Sequence, residues 1–419
     1  MNLKENFKDI TICVVGLGYV GLPLAKEFSK HFKVIGFDIN EEKIRNLKQN
    51  QIQNDNFTLT DVAAEIKSAD IIIIAVPTPI TKFKEPDLSY IQSASKIVGC
   101  NIKRGSYVVL ESTVYPGVTE NIVVPIIEKE SGFTCGIDFK IGYSPERITP
   151  GDEEHTIDKI TKIVSAMDKK STKVLAELYS NITKVYVAEN IQTAEAAKVI
   201  ENVQRDLNIA LMNELSILFN KAHLDTTLIL DAARTKWNFH NYKPGLVGGH
   251  CIPVDPYYLV HMAKELDYHP QVILAGRSIN DNMSNHIVEL TLRGLNEAGK
   301  APKKSKILIM GLTYKENVSD TRETPVKKII QKLKDFKSEI YGYDPHLTKK
   351  QIADFRIKPL ENLKDIKVDC IIIAIAHKSF FEITLDQIIK IMNKKPVLID
   401  VRGMFGKEVK KNGLIYMRL

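Results

Sequence analysis

Cys251 is the residue of this chain whose type and setting best fit covalent chemistry. It stands in the run GGHCIPVD at 248–255, and the two glycines before it allow unusual backbone dihedrals and close approach of a ligand to the main chain. A cysteine thiolate can hold an aldehyde covalently while the aldehyde is oxidised to the level of an acid. The alternative is that Cys251 is a small buried hydrophobic residue, as most free cysteines are.

A glycine-rich turn near the N-terminus predicts a dinucleotide site. Gly16, Gly18 and Gly21 lie between a predicted strand and a predicted helix, where they would give a tight turn, room for a pyrophosphate and close helix–strand contact. Asp38 ends the next strand, 22 residues after Gly16. An acid there accepts hydrogen bonds from ribose hydroxyls and repels a 2′-phosphate. The pattern predicts NAD rather than NADP, and the alternative is a purely structural turn.

Three polar runs come directly after predicted strands: VPTP at 76–79, EST at 111–113 and SPER at 144–147. The carboxyl ends of strands are where α/β sheets bind ligands, so these runs are candidates for cofactor or substrate contacts. In the last run, Glu146 could orient water or a substrate hydroxyl. The alternatives are that the prolines and hydroxyls only shape turns and that Glu146 forms a surface ion pair.

Two further segments offer partners for the thiol. Lys198 and Asn202 are four residues apart in a stretch, 191–222, that contains no Gly or Pro, so they share one helix face. Lys198 could stabilise an oxyanion or act as a base, and the alternative is a solvated lysine. Asp255, four residues after Cys251, could activate a water molecule or cap the following helix.

The elements that must position these residues alternate between strands and helices. A helix is predicted at 22–31, and the predicted strands are 10–15, 33–38, 71–76, 107–110 and 140–143, followed after a long interval by 306–311, 339–344, 368–376 and 396–400. The last four predicted strands correspond in order to the first four, and the paired strands end at corresponding residues. Continuous apolar strands separated by helices indicate parallel sheets covered on both faces.

We therefore expect an α/β fold with two Rossmann-like parallel-sheet domains joined by a central helical domain that contains a long helix. The expected boundaries are 1–190, 191–300 and 301–419. The long helix, at 191–222, should present an apolar stripe. That stripe consists of Val199, Ile200, Val203, Leu207, Ala210, Leu211, Leu215 and Leu218.

Bulk composition excludes several classes of protein. The net charge of +7 is spread along 419 residues without a basic stripe interleaved with aromatics, so we expect no nucleic-acid partner. The five cysteines have no paired spacing, which argues against a disulfide framework or a metal site and fits a reducing compartment. The N-terminus lacks the apolar core of a signal peptide and the aliphatic runs are too short to cross a bilayer. We expect a soluble cytoplasmic protein without a membrane partner.

Taken together, these runs resemble the UDP-glucose/GDP-mannose dehydrogenase family of nucleotide-sugar 6-dehydrogenases. The matching runs, in order, are GLGYVGLPLA at 16–25, ESTVYPG at 111–117, SPER at 144–147, EAAKVIENVQRDLN at 195–208, GLVGGHCIPVDPYYL at 245–259 and GLTYKENVSDTRETP at 311–325. The resemblance implies an N-terminal NAD domain, a central dimerisation domain and a C-terminal domain for the UDP-sugar. It also implies a homodimer.

The resemblance implies a four-electron oxidation of the sugar C6 hydroxymethyl to a carboxylate with two NAD. In the family reaction the equivalent of Cys251 forms a thiohemiacetal and then a thioester. Lys198 and Asn202 match oxyanion-stabilising residues, and Asp255 and Thr113 match residues that hold a water molecule. Glu146 matches an acid near the reacting carbon.

The resemblance also assigns binding residues. The cofactor set is Gly16, Gly18, Tyr19, Val20, Gly21, Asp38, Lys43, Pro77, Thr78, Ser112, Thr113 and Arg322. The substrate set is Glu146, Arg147, Lys198, Asn202, Arg234, Gly249 and Lys315. Arg322 matches an arginine that reaches the cofactor from another domain. Arg234 lies within one position of an arginine that contacts substrate from the partner subunit.

Departures from the UDP-glucose pattern indicate a branch. Arg147, Pro150 and Val254 stand where the UDP-glucose enzymes usually have Phe, Glu and Lys. Together with TKWNF at 235–239 these residues resemble the branch acting on UDP-N-acetylhexosamines, GlcNAc or GalNAc, whose products feed surface polysaccharides. Three alternatives stay open: a UDP-glucose 6-dehydrogenase, a non-catalytic nucleotide-sugar-binding protein and a one-step alcohol dehydrogenase with a structural Cys251.

Overall fold

The structure is a computed structural model that describes residues 9–50, 55–147, 156–406 and 413–419. The chain forms two compact units. Unit 1 comprises Met1–Asn202 and Tyr257–His269, and unit 2 comprises Val203–Pro256 and Pro270–Leu419. Within the described ranges, no helix combines the length and the apolar character needed to cross a membrane.

Unit 1 is built on an eight-stranded sheet with the strand order β3-β2-β1-β4-β5-β6-β7-β8. Its strands are β1 Thr11–Val15, β2 Lys33–Phe37, β3 Phe57–Thr60, β4 Ile71–Ile74, β5 Tyr107–Leu110, β6 Lys140–Tyr143, β7 Lys162–Ala166 and β8 Val185–Val187. All neighbouring pairs are parallel except β6 and β7, which are antiparallel. The sequence predicted a wholly parallel sheet and did not predict β3, β7 or β8. The strands β3 and β7 include Thr, Lys and Ser and so lack the continuous apolar pattern on which the prediction depended, and β8 is only three residues long.

Helices cover the unit 1 sheet because its central strands are apolar on both faces. In β4 all four isoleucines are at most 1% exposed. The α-helices of this part of the chain are α1 Gly21–Phe28, α2 Glu41–Gln49, α3 Ser89–Asn101, α4 Val124–Ser131 and α5 Lys169–Tyr179, with a 3₁₀ helix at Ala63–Ser68 and a π turn at Thr119–Val123. Helix α1 ends three residues before the predicted end, His31, since the next residues turn directly into β2.

Two helices run from one unit into the other. Helix α6 spans Ile191–Lys221, and α8 spans Asp255–Glu265. The prediction of one long helix at 191–222 is confirmed, and its 31 residues extend over about 46 Å at 1.5 Å per residue. The predicted apolar stripe is wrong in part, because Ile200, Leu211 and Leu218 are about half exposed.

Hydrogen bonds of polar side chains, as well as apolar side chains, determine which side of α6 is buried. Glu195, Asp206 and Asn213 are completely buried, and each is hydrogen-bonded to a loop or to another helix. Buried polar groups need such partners, since an unpaired one is costly. A stripe read from apolar residues alone therefore misplaces the buried face.

Unit 2 is built on a six-stranded parallel sheet with the order β11-β10-β9-β12-β13-β14. Its strands are β9 Lys306–Met310, β10 Glu339–Tyr343, β11 Lys358–Pro359, β12 Val368–Ile373, β13 Met392–Asp400 and β14 Ile415–Arg418. This is the same sequential order as the first six strands of unit 1. The predicted repeat of a Rossmann-like topology is confirmed.

Helices of unit 2 pack on both faces of this sheet and enclose two apolar clusters. The α-helices of this part of the chain are α7 Thr226–Ala233, α9 Gln271–Glu297, α10 Val326–Asp335, α11 Lys349–Ala353 and α12 Leu385–Lys390, with 3₁₀ helices at Leu363–Asp365 and Lys378–Glu382. Capping boxes begin α11 and α12 at Thr348 and Thr384. The ends of these helices are thus set by local sequence.

Candidate active site

Two positions in the glycine turn of unit 1 have no room for a side chain, and a third position is open. Gly16 has φ +96°, and a Cβ there would lie 2.9 Å from the Ala75 carbonyl oxygen. A Cβ on Gly21 would lie 1.9 Å from the carbonyl oxygen of Gly16. Gly18 is different, because a Cβ on it would meet no atom within 4 Å. Two glycines shape the turn, and the third leaves its main chain open to a ligand.

Asp38 is tied to the same turn. Its carboxylate accepts hydrogen bonds from the backbone N–H of Leu17 at 2.9 Å and of Asn40 at 3.1 Å, and from Lys43 Nζ at 2.7 Å. Burial by itself would raise the pKa of Asp38, but these bonds outweigh it and hold the pKa below its usual value. The acid beside the turn is therefore ionised at neutral pH.

The predicted runs after β4 and β5 meet the glycine turn at one edge of the sheet. Gly16 lies against Ala75 and Val76, and Ser112 Oγ donates to the Val76 carbonyl oxygen at 2.7 Å. Thr78 is held through its carbonyl, which accepts from Tyr258 Oη at 2.8 Å. The remaining cofactor candidates of this edge differ in exposure: Tyr19 and Pro77 are exposed, whereas Val20 and Thr113 are half-buried.

An ionic cluster that the sequence did not reveal lies behind these runs. Lys162 Nζ donates to Glu111 Oε2 at 2.5 Å and to the Pro145 carbonyl oxygen at 2.9 Å. Tyr179 Oη donates to Glu111 Oε1 at 2.6 Å. Burial raises the pKa of Glu111 to about 7, although Lys162 opposes the shift. The cluster joins the EST and SPER runs, and hydropathy could not have indicated it because its members are far apart in sequence.

The first half of α6 anchors the EST run from the other side. Glu195 accepts from the backbone N–H of Gly117 at 2.6 Å and from Thr119, whose N–H lies at 2.9 Å and whose hydroxyl at 2.6 Å. Glu195 is completely buried. It therefore fixes the segment that begins with Thr113 against the helix that carries Lys198.

The SPER run is joined to the same helix. Arg147 pairs with Glu201, with Nη2 at 2.7 Å from Oε1, and donates to the Thr161 carbonyl oxygen at 2.6 Å. Glu146 is 8% exposed, so it is not a surface residue. Lys198 is 7% exposed, which contradicts the alternative of a solvated lysine. Unit 1 thus brings the Thr113, Glu146, Lys198 and Asn202 segments into one assembly.

The cysteine loop belongs to unit 2 and is held at its start by α6. Asn213 donates to the Gly245 carbonyl oxygen at 3.0 Å and accepts from the Gly245 N–H at 2.8 Å. Asn213 also donates to Asn280 of α9 at 2.8 Å. Cys251 at the end of the loop is exposed, which contradicts the alternative of a buried hydrophobic cysteine. Its carbonyl oxygen accepts from the N–H of Asp255 at 2.8 Å, so Asp255 begins α8.

The loop is also packed against the segment that carries Lys315 and Arg322. A Cβ on Gly248 would lie 2.8 Å from the Glu323 carbonyl oxygen, and one on Gly249, at φ +91°, would lie 2.7 Å from the Tyr314 ring. These positions require glycine because another chain segment occupies the space. Unit 2 therefore places Cys251, Gly249 and the predicted nucleotide-sugar segment side by side.

The charged residues near this loop are partly engaged with one another. Arg322 pairs with Asp320 at 2.6 Å. Burial, and then Arg322, lower the pKa of His250, so this imidazole is neutral at pH 7. Arg234 pairs with Asp231 at 2.6 Å. Lys315 is half-buried, and its carbonyl oxygen accepts from Thr313 Oγ1 at 2.8 Å.

The chain is similar to known proteins along almost its whole length. Protein CapL of Staphylococcus aureus is 47% identical over 410 residues, covering 95% of this chain and 96% of that protein. The UDP-N-acetyl-D-glucosamine 6-dehydrogenase of Salmonella typhi is 43% identical and covers 96% of this chain and 97% of its own length. A solved UDP-D-ManNAc dehydrogenase from Pyrococcus horikoshii superposes with a TM-score of 0.88 at 30% identity, covering 98% of this chain and 99% of its own.

Three family models match consecutive parts of the sequence. The NAD binding domain of the UDP-glucose/GDP-mannose dehydrogenase family matches residues 10–183, the central domain 192–282 and the UDP binding domain 308–407. With the glycine turn, the ionised Asp38 and the exposed Cys251 in place, these matches show that the chain belongs to the UDP-glucose/GDP-mannose dehydrogenase family.

Proposed function

We propose that this chain is an NAD-dependent UDP-N-acetylhexosamine 6-dehydrogenase whose preferred substrate is UDP-N-acetyl-D-glucosamine. Two relatives that carry the name UDP-N-acetyl-D-glucosamine 6-dehydrogenase are 43% and 42% identical to it. Relatives named UDP-N-acetyl-D-mannosamine dehydrogenase are less similar, at 31–33% identity. The product would be a UDP-N-acetylhexosaminuronic acid, a precursor of surface polysaccharides.

The observation that carries the proposal is the setting of Cys251. The thiol is exposed at the end of a loop that Asn213 holds at its start. The oxidation of an alcohol to an aldehyde needs no thiol, whereas the second oxidation to the acid level gains from a covalent thiohemiacetal. An exposed cysteine on a glycine loop that is held in place is therefore the feature that distinguishes a four-electron dehydrogenase from a simple alcohol dehydrogenase.

Unit 1 has the residues to hold NAD. The open main chain at Gly18 and the N-terminus of α1 suit a pyrophosphate, and the ionised Asp38 suits ribose hydroxyls. Each of the two oxidations would transfer one hydride to a separate NAD molecule. Lys43 forms an ion pair with Asp38. Pro77, Thr78 and Ser112 follow the strands that end beside the glycine turn. Arg322 is the remaining cofactor candidate.

We assign the chemical steps to residues as follows. The Cys251 sulfur adds to the carbon of the C6 aldehyde, the thiol proton ends on the former carbonyl oxygen, and a thiohemiacetal forms. After its oxidation to a thioester, water adds to the carbonyl carbon and the C–S bond breaks, which returns the thiolate and the carboxylate. Lys198 and Asn202 stabilise the oxyanions by charge and hydrogen bonding. Asp255 and Thr113 position the attacking water, and Glu146 lies near the reacting carbon.

The substrate candidates have separate proposed roles. Lys315 supplies positive charge for the diphosphate of the nucleotide-sugar, and Gly249 lets the sugar approach the main chain. Arg234 would reach substrate from a partner subunit. Arg147 acts in substrate binding through its pair with Glu201, which also places its neighbour Glu146.

The decisive experiment counts NADH formed per sugar for UDP-N-acetylglucosamine, UDP-N-acetylgalactosamine, UDP-N-acetylmannosamine and UDP-glucose. We expect two NADH per UDP-N-acetylglucosamine. A yield of one would support a one-step dehydrogenase, and a yield of none a binding protein. Preference for UDP-glucose would support the alternative that Arg147 and Val254 disfavour.

The proposal includes a function for each expected domain. Residues 1–190 bind NAD, 191–300 form the dimer contact and carry the cysteine loop, and 301–419 bind the UDP-sugar. A homodimer is supported by exposed apolar side chains in the middle part of the chain, among them Leu218 at 56%, Leu228 at 65% and Trp237 at 92% exposure. Light scattering after size exclusion tests it, and a monomer at micromolar concentration would contradict it.

We also propose a cytoplasmic location. All five cysteines are free, as expected in a reducing compartment. Fractionation of cells that express the chain tests this assignment, and recovery outside the cytoplasmic fraction would contradict it.

A further inference from the structure

Asp344 in unit 2 repeats the position that Asp38 has in unit 1. The Leu312 N–H donates to Asp344 Oδ2 at 2.7 Å, as the Leu17 N–H donates to Asp38 Oδ2 at 2.9 Å. Gly311, which precedes Leu312, has φ +82°, close to the φ of +96° at Gly16. Both halves of the chain thus keep the acid that contacts ribose in a dinucleotide-binding turn.

The two acids differ in what else reaches them. The Asp38 side chain is 11% exposed and pairs with Lys43. The Asp344 side chain is 0% exposed, and His377, also 0% exposed, lies on it with Nε2 at 3.1 Å from Oδ2. The imidazole therefore bonds to Oδ2 of Asp344, the counterpart of the Asp38 oxygen that Lys43 reaches, and the buried Asp344 carboxylate is closed to solvent.

The second nitrogen of His377 holds the loop that carries Lys315. The Asn317 N–H donates to His377 Nδ1 at 2.9 Å, so Nδ1 is an acceptor and Nε2 carries the proton given to Asp344. Asn317 has φ +60°, and its side-chain oxygen accepts from the Lys378 N–H at 2.8 Å. Residues 317 and 377–378 therefore hold each other by two hydrogen bonds.

The other end of this loop is held close by. Thr313, completely buried, donates from its hydroxyl to the Lys315 carbonyl oxygen at 2.8 Å, and the same hydroxyl lies 3.5 Å from His377 Nε2. Lys315 therefore stands between two fixed points, Thr313 before it and Asn317 after it. Both residues contact the same buried imidazole of His377, Asn317 at Nδ1 and Thr313 at Nε2.

We propose that Asp344 and His377 are positioning residues for the nucleotide-sugar. In unit 2 the acid that corresponds to Asp38 supports the His377 imidazole, and this imidazole fixes the Lys315 turn. This inference rests on the proposed role of Lys315 as a ligand of the UDP-sugar. An ammonium group at a fixed place binds a diphosphate better than one on a loose turn, because less conformational entropy is lost on binding.

The test compares three single variants by steady-state kinetics. We expect His377→Gln, which can still reach Asp344 but not Asn317, to raise the KM for the UDP-sugar about tenfold. The kcat and the KM for NAD should stay within about twofold, because unit 1 is unchanged. His377→Asn keeps an acceptor near the place of Nδ1 and should recover part of the loss. His346→Gln is the matched control, since the His346 ring lies against the His377 ring, with centroids 4.7 Å apart, whereas the bond from His346 to Asp344 is made by its backbone N–H.

Lys315→Ala separates this inference from the proposed function. If Lys315→Ala leaves the KM for the UDP-sugar unchanged, the ligand role of Lys315 is wrong and the inference falls with it. If Lys315→Ala raises that KM and His377→Gln does not, the proposed function stands and the positioning role is overturned. An equal fall of kcat/KM for the UDP-sugar and for NAD in His377→Gln would likewise overturn it, since that is the effect of general damage.

A second variant covers the case in which His377→Gln does not fold. Asn317→Gly tolerates the positive φ and keeps the N–H given to His377, but loses the acceptor for Lys378. Asn317 is exposed, so this variant should fold. We expect it to raise the KM for the UDP-sugar about threefold with an unchanged KM for NAD, because one of the two hydrogen bonds that fix Asn317 is lost. An unchanged KM for both substrates would show that fixing Asn317 does not position the Lys315 turn, and would overturn the proposal.

Discussion

Lys162 and Glu111 form an ion pair of 2.5 Å in which the two side chains are 3% and 0% exposed. The same ammonium donates to the Pro145 carbonyl oxygen at 2.9 Å. One buried lysine therefore ties the end of β5 to the run that carries Glu146. Both side chains are buried, so the role that this pair has in the structure is to hold the two segments together.

Removal of Lys162 should be costly for that reason. In Lys162→Met the Glu111 carboxylate would stay buried without its cation, which destabilises proteins by about 3 kcal/mol or more. Urea unfolding measures the loss. Lys103→Met is the matched control, because Lys103 pairs with Asp70 at the surface and its loss should cost less than about 1 kcal/mol. Equal losses in the two variants would contradict the structural role of the buried pair.

The raised pKa of Glu111 predicts how stability depends on pH. Burial raises this pKa from 4.5 to about 7, so the folded chain binds a proton that the unfolded chain has already lost between these values. The free energy of unfolding should therefore fall as the pH rises from about 5 to 7, by at most about 1.4 kcal/mol per pH unit, and then level off.

That slope should disappear in Glu111→Gln, which has no proton to exchange. Unfolding free energies of the wild type and this variant at pH 5, 6, 7 and 8 provide the measurement. The exposed Glu41→Gln serves as control and should keep the wild-type slope. A difference between wild type and Glu111→Gln that does not change with pH would show that Glu111 titrates normally.

Cys251→Ser should lower turnover by orders of magnitude, because a serine hydroxyl is a far weaker nucleophile than a thiolate. NAD affinity, measured by fluorescence titration, should stay near the wild-type value since the glycine turn is unaltered. Cys100→Ser is the control, being another exposed cysteine outside the proposed site. Wild-type turnover in Cys251→Ser would rule out the covalent route.

The glycine turn allows stability and cofactor binding to be separated. Gly16→Ala should destabilise unit 1 by about 1 kcal/mol or more, because φ is +96° and the added Cβ would lie 2.9 Å from a carbonyl oxygen. Gly18→Ala should leave the melting temperature unchanged and weaken NAD binding about tenfold, since the new methyl would fill only the space open to a ligand. A melting temperature that falls equally in both variants would refute this distinction.

The sequence by itself determined the features that depend on local order. Alternating apolar strands and helices predicted both sheets, and the match of 306–344 to 10–38 predicted a repeated topology. Gly16, Gly21 and Asp38 could be recognised because their backbone geometry and spacing are set within one strand–turn–helix unit. Cys251 stood out for the same reason, as a thiol in a glycine-rich run.

Only the tertiary structure decided which residues support these groups. Glu111 meets Lys162 across 51 residues, Glu195 meets Gly117 across 78, and His377 meets Asn317 across 60. No periodicity links such distant positions, because their contacts arise from the packing of strands and loops. The buried face of α6 belongs to the same class: its polar side chains are buried since loops elsewhere in the chain supply their hydrogen bonds, and hydropathy along one helix does not record those partners.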